Sequence, residues 1–146
     1  MKIWVDADAC PVVIKEILFK AAERTAIQLT LVANQPVRVP PSRFISSIQV
    51  SSGFDVADDE IVKRLEAGDL VITGDIPLAA KCVAAGAQVI RHNGEPLTQA
   101  NIGPQLATRD LMTDLRAADP FRQGGGRAFS KADRSRFLDA LERAVR

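Results

Sequence analysis

The chain has 146 residues, a formal net charge of +1, 47% hydrophobic residues and 25% charged residues. This composition is typical of a soluble globular protein, and the length allows one domain, residues 1–146, to bury a core without disulfides. The two cysteines are too few for a disulfide scaffold, and no apolar run approaches the length of a membrane span. We therefore expect a cytoplasmic protein with no membrane partner. The oligomeric state stays open, a homodimer included.

Short apolar runs alternate with segments of helical periodicity along the first two thirds of the chain. The predicted strands cover residues 2–5, 27–33, 44–50, 70–73 and 88–91. The predicted helices begin near residues 11, 54 and 78. This alternation indicates an α/β fold with a mostly parallel five-stranded sheet and helices on both faces.

The last third of the chain has a different character. Residues 97–118 have helical periodicity that is interrupted at Gly103-Pro104. Residues 119–129 contain three consecutive glycines and are predicted to be a flexible linker. A final helix is predicted to start at Ser130, because Ser130 and Asp133 have the spacing of a capping box. Its apolar stripe consists of Phe137, Leu138, Leu141 and Val145.

Acidic residues come directly after two of the predicted strands. Asp6 and Asp8 follow the first strand, and Asp75 follows the strand at 70–73, in each case shortly before a proline that suits the start of a helix. The carboxyl ends of parallel strands lie at one edge of a sheet, where the ligands of such sheets bind. A simpler explanation is that Asp8 caps the first helix.

A third acidic group opens the helix near residue 54. Asp58 and Asp59 can share one helical face with Asp55. Acids near a helix N-terminus are favoured by the helix dipole, which explains some of them. Four acids between residues 55 and 60 exceed what capping needs. We therefore group Asp58 and Asp59 with the acids at the strand ends.

Together these acids predict a metal site. Clustered carboxylates repel one another unless a cation lies among them, and hard oxygen ligands suit Mg²⁺ or Mn²⁺. Such an ion activates water and stabilises charge on a phosphate group during its transfer. A zinc site is not indicated, because the chain has a single histidine, His92, which we expect on a surface loop. Cys10 is expected to be buried and unreactive. The proposed metal ligands are Asp6, Asp8, Asp58, Asp59 and Asp75.

Four segments of the chain together resemble one bacterial protein family. They are Asp-Ala-Asp-Ala-Cys-Pro at 6–11, Asp-Val-Ala-Asp-Asp-Glu-Ile at 55–61, Thr-Gly-Asp-Ile-Pro-Leu-Ala at 73–79 and Phe-Ser-Lys-Ala-Asp-Arg-Ser-Arg-Phe-Leu at 129–138. Their order and their spread over the chain are similar to the YaiI/YqxD family of uncharacterised proteins. That family is regarded as a distant relative of PIN-domain nucleases. The resemblance therefore implies a PIN-like three-layer sandwich and a metal-dependent ribonuclease.

The PIN resemblance also implies roles for individual residues. Asp6, Asp58 and Asp75 match the catalytic acids of that pattern, and Thr73 matches the threonine two residues before the last acid. Two departures stand out. Asp8 lies where the pattern often has Asn, Ser or Thr, and no convincing fourth acid follows Asp75.

Two other functions fit parts of the same pattern. Asp6 and Asp8 resemble the Asp-x-Asp motif of haloacid-dehalogenase-type phosphatases, in which Asp6 would attack phosphorus and Asp8 would be the general acid and base. Against this alternative, no lysine motif precedes a C-terminal acidic motif. The other alternative is a non-catalytic RNA-binding module on the same fold.

Basic residues supply candidate contacts to the phosphates of RNA. Two arginines lie on the proline-stiffened loop at 34–43, and three basic residues lie at or before the start of the final helix. Lys131 and Arg134 are three residues apart, so we expect them to act together. The candidate substrate-binding residues are Thr73, Arg38, Arg43, Arg127, Lys131 and Arg134.

Overall fold

The computed structural model describes residues 1–51, 56–107 and 130–145. Its strands are β1 (Lys2–Asp6), β2 (Gln28–Ala33), β3 (Ile45–Gln49), β4 (Leu70–Ile72), β5 (Gln88–Ile90) and β6 (Pro96–Leu97). Its helices are α1 (Val12–Thr25), α2 (Val56–Arg64), α3 (Ile76–Ala84), α4 (102–107) and α5 (Lys131–Val145). None of the helices in these ranges is long and apolar enough to cross a membrane.

The strands form one six-stranded sheet in the order β3-β2-β1-β4-β5-β6. Strands β1 to β5 are parallel, and β6 is antiparallel to β5. The predicted fold class is confirmed, and the arrangement is consistent with a PIN-like sandwich. The predicted sheet had five strands, and the sixth is β6. Strand β6 has only two residues, which is too short to show strand periodicity in the sequence. It begins with Pro96, and the missing N–H of proline suits a strand at the edge of a sheet.

The side chains of the central strand β1 pack against helices on both faces of the sheet. Its side chains alternate between the two faces, as the period of two requires. Ile3 and Val5 are fully buried in a cluster with residues of α1 and α5. Trp4 packs with residues of α2 and α3 in a second cluster. The molecule therefore has three layers, with α1 and α5 on one face and α2 and α3 on the other.

Helices α1 and α5 lie side by side and run in the same direction. Arg24, near the end of α1, forms an ion pair with Glu142, near the end of α5. Arg134, near the start of α5, lines the same cleft as Val13, near the start of α1. The first turn of α5 therefore lies at the sheet edge where β1 ends and α1 begins.

The start of α5 has the predicted capping box. The backbone N–H of Ser130 donates to Asp133 Oδ2 at 3.2 Å, and the N–H of Asp133 donates to Ser130 Oγ at 3.1 Å. The apolar stripe is also confirmed, because Phe137 and Leu141 are buried in the core. The predicted linker at 119–129 lies outside the described residues.

The order of the strands creates a crevice between β1 and β4. The chain leaves β1 through α1 on one face of the sheet, and it leaves β4 through α3 on the other face. At such a topological switch point the two connections diverge and leave a cleft at the carboxyl ends of the strands, where ligands bind. Asp6 ends β1, and Thr73 directly follows β4. These two residues are therefore the starting point for the site.

Candidate functional site

Thr73 links the carboxyl ends of β1 and β4. Its side chain is completely buried. The hydroxyl donates to Asp6 Oδ2 at 3.2 Å and accepts the backbone N–H of Asp75 at 3.0 Å. A hydroxyl has one proton to donate and lone pairs to accept with, so both bonds form together. Thr73 thus connects the acid at the end of β1 to the acid that precedes α3.

Asp75 is the N-cap of α3. Its Oδ1 accepts the backbone N–H of Leu78 at 3.1 Å, and Pro77 lies in the first turn of the helix. Ser, Thr, Asp and Asn at this position satisfy one of the N–H groups that a helix start leaves unpaired. The cap uses one of the two carboxylate oxygens. Asp75 is therefore held rigidly at the edge of the sheet, with Oδ2 outside the capping bond.

Asp8 has a different role from the helix cap that its position suggested. The N-cap position of α1 is occupied by Pro11, and among the described residues no side chain caps the helix there. Instead, Oδ1 and Oδ2 of Asp8 accept the backbone N–H of Asn34, at 3.2 and 3.0 Å. Asn34 directly follows β2. Asp8 therefore ties the turn after β1 to the end of the neighbouring strand.

The pKa of Asp6 shows that these acids act on one another. Burial is the largest influence and raises the pKa of the Asp6 carboxyl above its ordinary value. The hydrogen bond from Thr73 lowers the pKa, and the negative charges of Asp75 and Asp8 raise it further. The pKa remains raised, because burial and the two negative charges outweigh the hydrogen bond from Thr73. A bound cation would favour the charged carboxylate and lower this pKa.

Asp58 and Asp59 lie in the first turn of α2, which packs beside α3. Asp59 is exposed and forms an ion pair with Lys81 at 4.0 Å. The thiol of Cys82 has a pKa raised to about 12, chiefly by burial and also by the charge of Asp58. The structure thus places Asp59 against α3, and it places Asp58 close to Cys82. That Asp58 and Asp59 share a metal with the acids at the strand ends stays a prediction.

The part of the chain that the structure describes contains no group of three or more acidic, histidine or cysteine side chains arranged to hold a metal ion. The acids at the crevice are instead linked through hydrogen bonds of Thr73 and through their charges. Mg²⁺ is usually bound by one or two carboxylates together with water and phosphate oxygens of the substrate. The magnesium site itself stays a prediction, with Asp6 and Asp75 as its candidate ligands at the crevice.

The predicted RNA-binding residues are spread over both edges of the sheet. Lys131 and Arg134 are exposed on the first turn of α5, at the same edge as Asp6. Arg43 is 4.9 Å from the ring centroid of Phe44, whose carbonyl accepts the N–H of the second residue of β2. That position is the opposite edge, so the structure does not bring Arg43 to the acids.

The other two candidates are placed differently. Arg38 is exposed on the loop between β2 and β3, between two valines that pack on the α1 face. Arg127 lies outside the described residues. Lys131 and Arg134 are therefore the described basic candidates that share the edge of the acids.

The model of the uncharacterised YaiI/YqxD family matches residues 4–146. The chain belongs to the YaiI/YqxD family. A UPF0178 protein of Cereibacter sphaeroides is 62% identical over 144 residues, which cover 99% of this chain and 88% of the relative. A UPF0178 protein of Thioalkalivibrio sulfidiphilus is 59% identical over 145 residues, which cover 99% of this chain and 98% of the relative. No solved structure gives a significant match.

In this YaiI/YqxD chain, the structure adds His92 to the candidate site. The sequence pattern suggested an ordinary surface loop, but the residue is half-buried two positions after β5. Its Cε1 and Nδ1 atoms lie 3.7 Å from the position that a Cβ on Gly74 would occupy. Burial and the charge of Arg91 lower the pKa of His92, so its ring is neutral at physiological pH. The sequence did contain a pattern that could have identified His92, because this residue follows a predicted strand just as Asp6 and Asp75 do.

The two cysteines of the YaiI/YqxD chain are not candidates for catalysis. Both are free and buried. Burial raises the pKa of the Cys10 thiol to about 12, as it does for Cys82. The thiolate, which is the reactive form, is therefore scarce at neutral pH. The expectation that Cys10 is buried is confirmed.

Proposed function

We propose that this chain is a cytoplasmic, divalent-metal-dependent nuclease that hydrolyses RNA. One observation carries the proposal: the hydroxyl of Thr73 joins Asp6 to the backbone of Asp75 in the crevice between β1 and β4. The names of the relatives state no activity. The support for a nuclease therefore comes from this geometry, from its chemistry and from the resemblance to PIN-domain nucleases.

The proposed metal is Mg²⁺ or Mn²⁺. When bound, such an ion supplies a more acidic water molecule and neutralises charge on the phosphate. Asp6 and Asp75 would hold it, because Thr73 links them at the carboxyl ends of β1 and β4 and the negative charge of Asp75 acts on Asp6. Asp8, in the turn that follows β1, would add negative charge beside these two acids. Asp58 and Asp59 complete the proposed set of acids from α2.

The protein contributes orientation to the proposed reaction. Thr73 holds Oδ2 of Asp6, and the bond from Leu78 holds Oδ1 of Asp75, so each carboxylate presents its other oxygen in a fixed position. Catalytic groups that are held in this way lose little freedom when the substrate binds. Lys131 and Arg134 lie at the same edge and supply positive charge for the RNA backbone.

The test is hydrolysis of a single-stranded RNA oligonucleotide in Mg²⁺ and in Mn²⁺. We expect cleavage by the wild type, loss of at least about tenfold in rate for Asp6→Asn, and a similar loss for Thr73→Val. Thr73→Ser keeps the hydroxyl and should retain activity. Glu23→Gln removes an exposed acid on α1 and should behave as the wild type.

Other outcomes separate this proposal from its alternatives. RNA binding that survives in the Asp6→Asn, Asp75→Asn double variant, with no cleavage by the wild type, would establish a binding module. A phosphoryl group trapped on Asp6 would establish a phosphatase of the haloacid-dehalogenase type. Cleavage that is equally fast in Asp6→Asn and in the wild type would overturn the proposed metal centre.

A further inference from the structure

A nitrogen atom of the single histidine is buried and has no hydrogen-bond partner in the part of the chain that the structure describes. The atom is Nε2 of His92. Buried polar groups in folded proteins are almost always paired, so an exception calls for an explanation such as a role in binding. The ring rests on Gly74, the residue between Thr73 and Asp75. The ring that carries the unpaired nitrogen therefore lies next to the segment that connects the two acids.

The backbone that carries His92 is held firmly in place. The N–H of Arg91 donates to the carbonyl of Glu95 at 2.9 Å, and the N–H of Gly94 donates to the carbonyl of Arg91 at 2.9 Å. Gly94 lies directly against the backbone of α5. The guanidinium of Arg91 is paired with Glu95 at 3.1 Å. These contacts oppose a shift of the loop that would bring the nitrogen to a partner.

Rotation of the ring is the movement that remains. A half-turn about the bond that joins the ring to Cβ leaves the outline of the imidazole unchanged, and it exchanges Nε2 with Cε1. Nε2 then takes the position that faces Gly74. Gly74 is exposed and has no side chain to cover that position. In this second orientation Nε2 would lie beside an exposed glycine, where a ligand would have no side chain in its way.

We propose that His92 donates a hydrogen bond from Nε2 to a backbone phosphate of the bound RNA, alongside Gly74. This inference rests on the proposed function, and it adds one uncharged substrate-binding residue beside the acids. A neutral imidazole carries one N–H, which can donate to a phosphate oxygen. Lys131 and Arg134 bind through charge at the rim of the site, whereas His92 binds one phosphate next to the acids.

The first measurement uses the fact that the chain contains one histidine. Its ring C–H signals in an NMR spectrum therefore report on His92 alone. A short single-stranded oligouridylate is titrated into the full chain, with Ca²⁺ in place of Mg²⁺ so that the probe is not consumed. We expect the ring signals to shift with the RNA and to shift less with Ca²⁺ alone. Signals that do not change when the RNA is bound would overturn the inference.

The second measurement compares the affinities of variants for the same probe. His92→Phe keeps an aromatic ring without nitrogen and should bind about tenfold more weakly, which corresponds to the loss of one hydrogen bond to a charged group. His92→Gln keeps an N–H donor at similar reach and should recover part of the loss. Equal affinities for all three proteins would overturn the role of His92 and leave the proposed nuclease intact. A wild type that neither binds nor cleaves RNA would overturn both.

Discussion

The indole N–H of Trp4 donates to Oδ2 of Asp69 at 3.0 Å, at the edge of the sheet opposite the candidate site. The same carboxylate accepts the backbone N–H groups of Lys2 at 3.0 Å and of Glu66 at 2.9 Å. Asp69 is only 3% exposed. A carboxylate this deeply buried remains charged because several donors bind it. The bonds hold the start of β1 against the turn before β4.

The first prediction concerns the loss of this carboxylate. Asp69→Ala leaves three donors without an acceptor, and each such group costs about 1–3 kcal/mol when it is buried. We expect the free energy of unfolding in urea to fall by about 3 kcal/mol. Asp139→Ala, at an exposed position on α5, is the control and should change it by less than about 0.5 kcal/mol. Equal stabilities of the two variants would contradict the role of Asp69.

The second prediction concerns the dependence of this effect on pH. Burial alone would raise the pKa of Asp69, but the hydrogen bonds from Trp4, Glu66 and Lys2 and the charge of Lys2 hold it below its ordinary value. The unfolded chain therefore takes up the proton at a higher pH than the folded chain. The stability that Asp69 contributes is present above its unfolded pKa and is lost as the pH falls through its folded pKa.

Urea unfolding at a series of pH values measures this effect. The difference in unfolding free energy between the wild type and Asp69→Ala should be constant from about pH 5 to about pH 7. It should shrink progressively below about pH 4. A difference that grows as the pH falls would show that the pKa of Asp69 is raised in the folded state, not lowered.

The third prediction compares two glycines that have similar backbone conformations. Gly94 and Gly68 have φ angles of +87° and +90°, which strain any residue that carries a Cβ. A Cβ on Gly94 would also lie 2.5 Å from the carbonyl oxygen of Arg136 and 2.7 Å from the nitrogen of Phe137. A Cβ on Gly68 would meet no atom of the described residues within 4 Å. Only Gly94 therefore combines backbone strain with a clash against α5.

We expect Gly68→Ala to lower the unfolding free energy by about 1 kcal/mol, from conformational strain alone. Gly94→Ala should lower it by about 3 kcal/mol or more, because the clash falls on the rigid backbone of a helix. The melting temperatures of the two variants, measured side by side, test the difference. Equal losses would mean that the loop before β6 moves away from α5 at little cost.

The fourth prediction concerns the charge of Asp6. Because the folded state raises the pKa of this carboxyl, the charged form destabilises the metal-free protein above that pKa. Asp6→Asn should therefore raise the melting temperature at neutral pH without metal. The gain should vanish in acid, where Asp6 is protonated. A lower melting temperature at neutral pH would contradict the balance of charges described for this site.

Thermal and chemical unfolding with and without metal tests whether these acids bind a divalent cation. Mg²⁺ or Mn²⁺ at about 100 times its dissociation constant should stabilise the wild type by about 2.7 kcal/mol, because it binds only the folded state. The Asp6→Asn, Asp75→Asn double variant should lose this stabilisation. Asparagine at position 75 can still cap α3, so the fold is preserved. An unchanged response to metal in the double variant would place the metal elsewhere.

The fifth prediction concerns the basic residues of α5. Lys131→Ala with Arg134→Ala should weaken RNA binding for all sequences alike and should reduce the salt dependence of the binding constant by about one unit per charge. Arg143→Ala, in the last turn of the same helix, is the control and should leave the slope unchanged. RNA affinity measured over a range of salt concentrations gives all the slopes. Identical slopes for the double variant and the wild type would mean that α5 does not contact the RNA and has only a structural role.

Local patterns were sufficient to predict most of the architecture. The strands β1 to β5 were predicted because apolar runs of strand length are visible without knowledge of their partners. The capping box at Ser130 was predicted because its two residues are three positions apart in the chain. The two-residue strand β6 was missed, because its pairing with β5 depends on a turn through Gly94 and has no periodicity of its own.

The sequence by itself determined which acids end strands, and it determined that the chain is a YaiI/YqxD protein. Only the tertiary structure decided which of those residues meet. Thr73 and Asp6 are 67 positions apart and touch because β4 lies beside β1. The same strand order places His92 on Gly74. Strand order and register arise from the packing of the whole core, so no local pattern encodes these contacts.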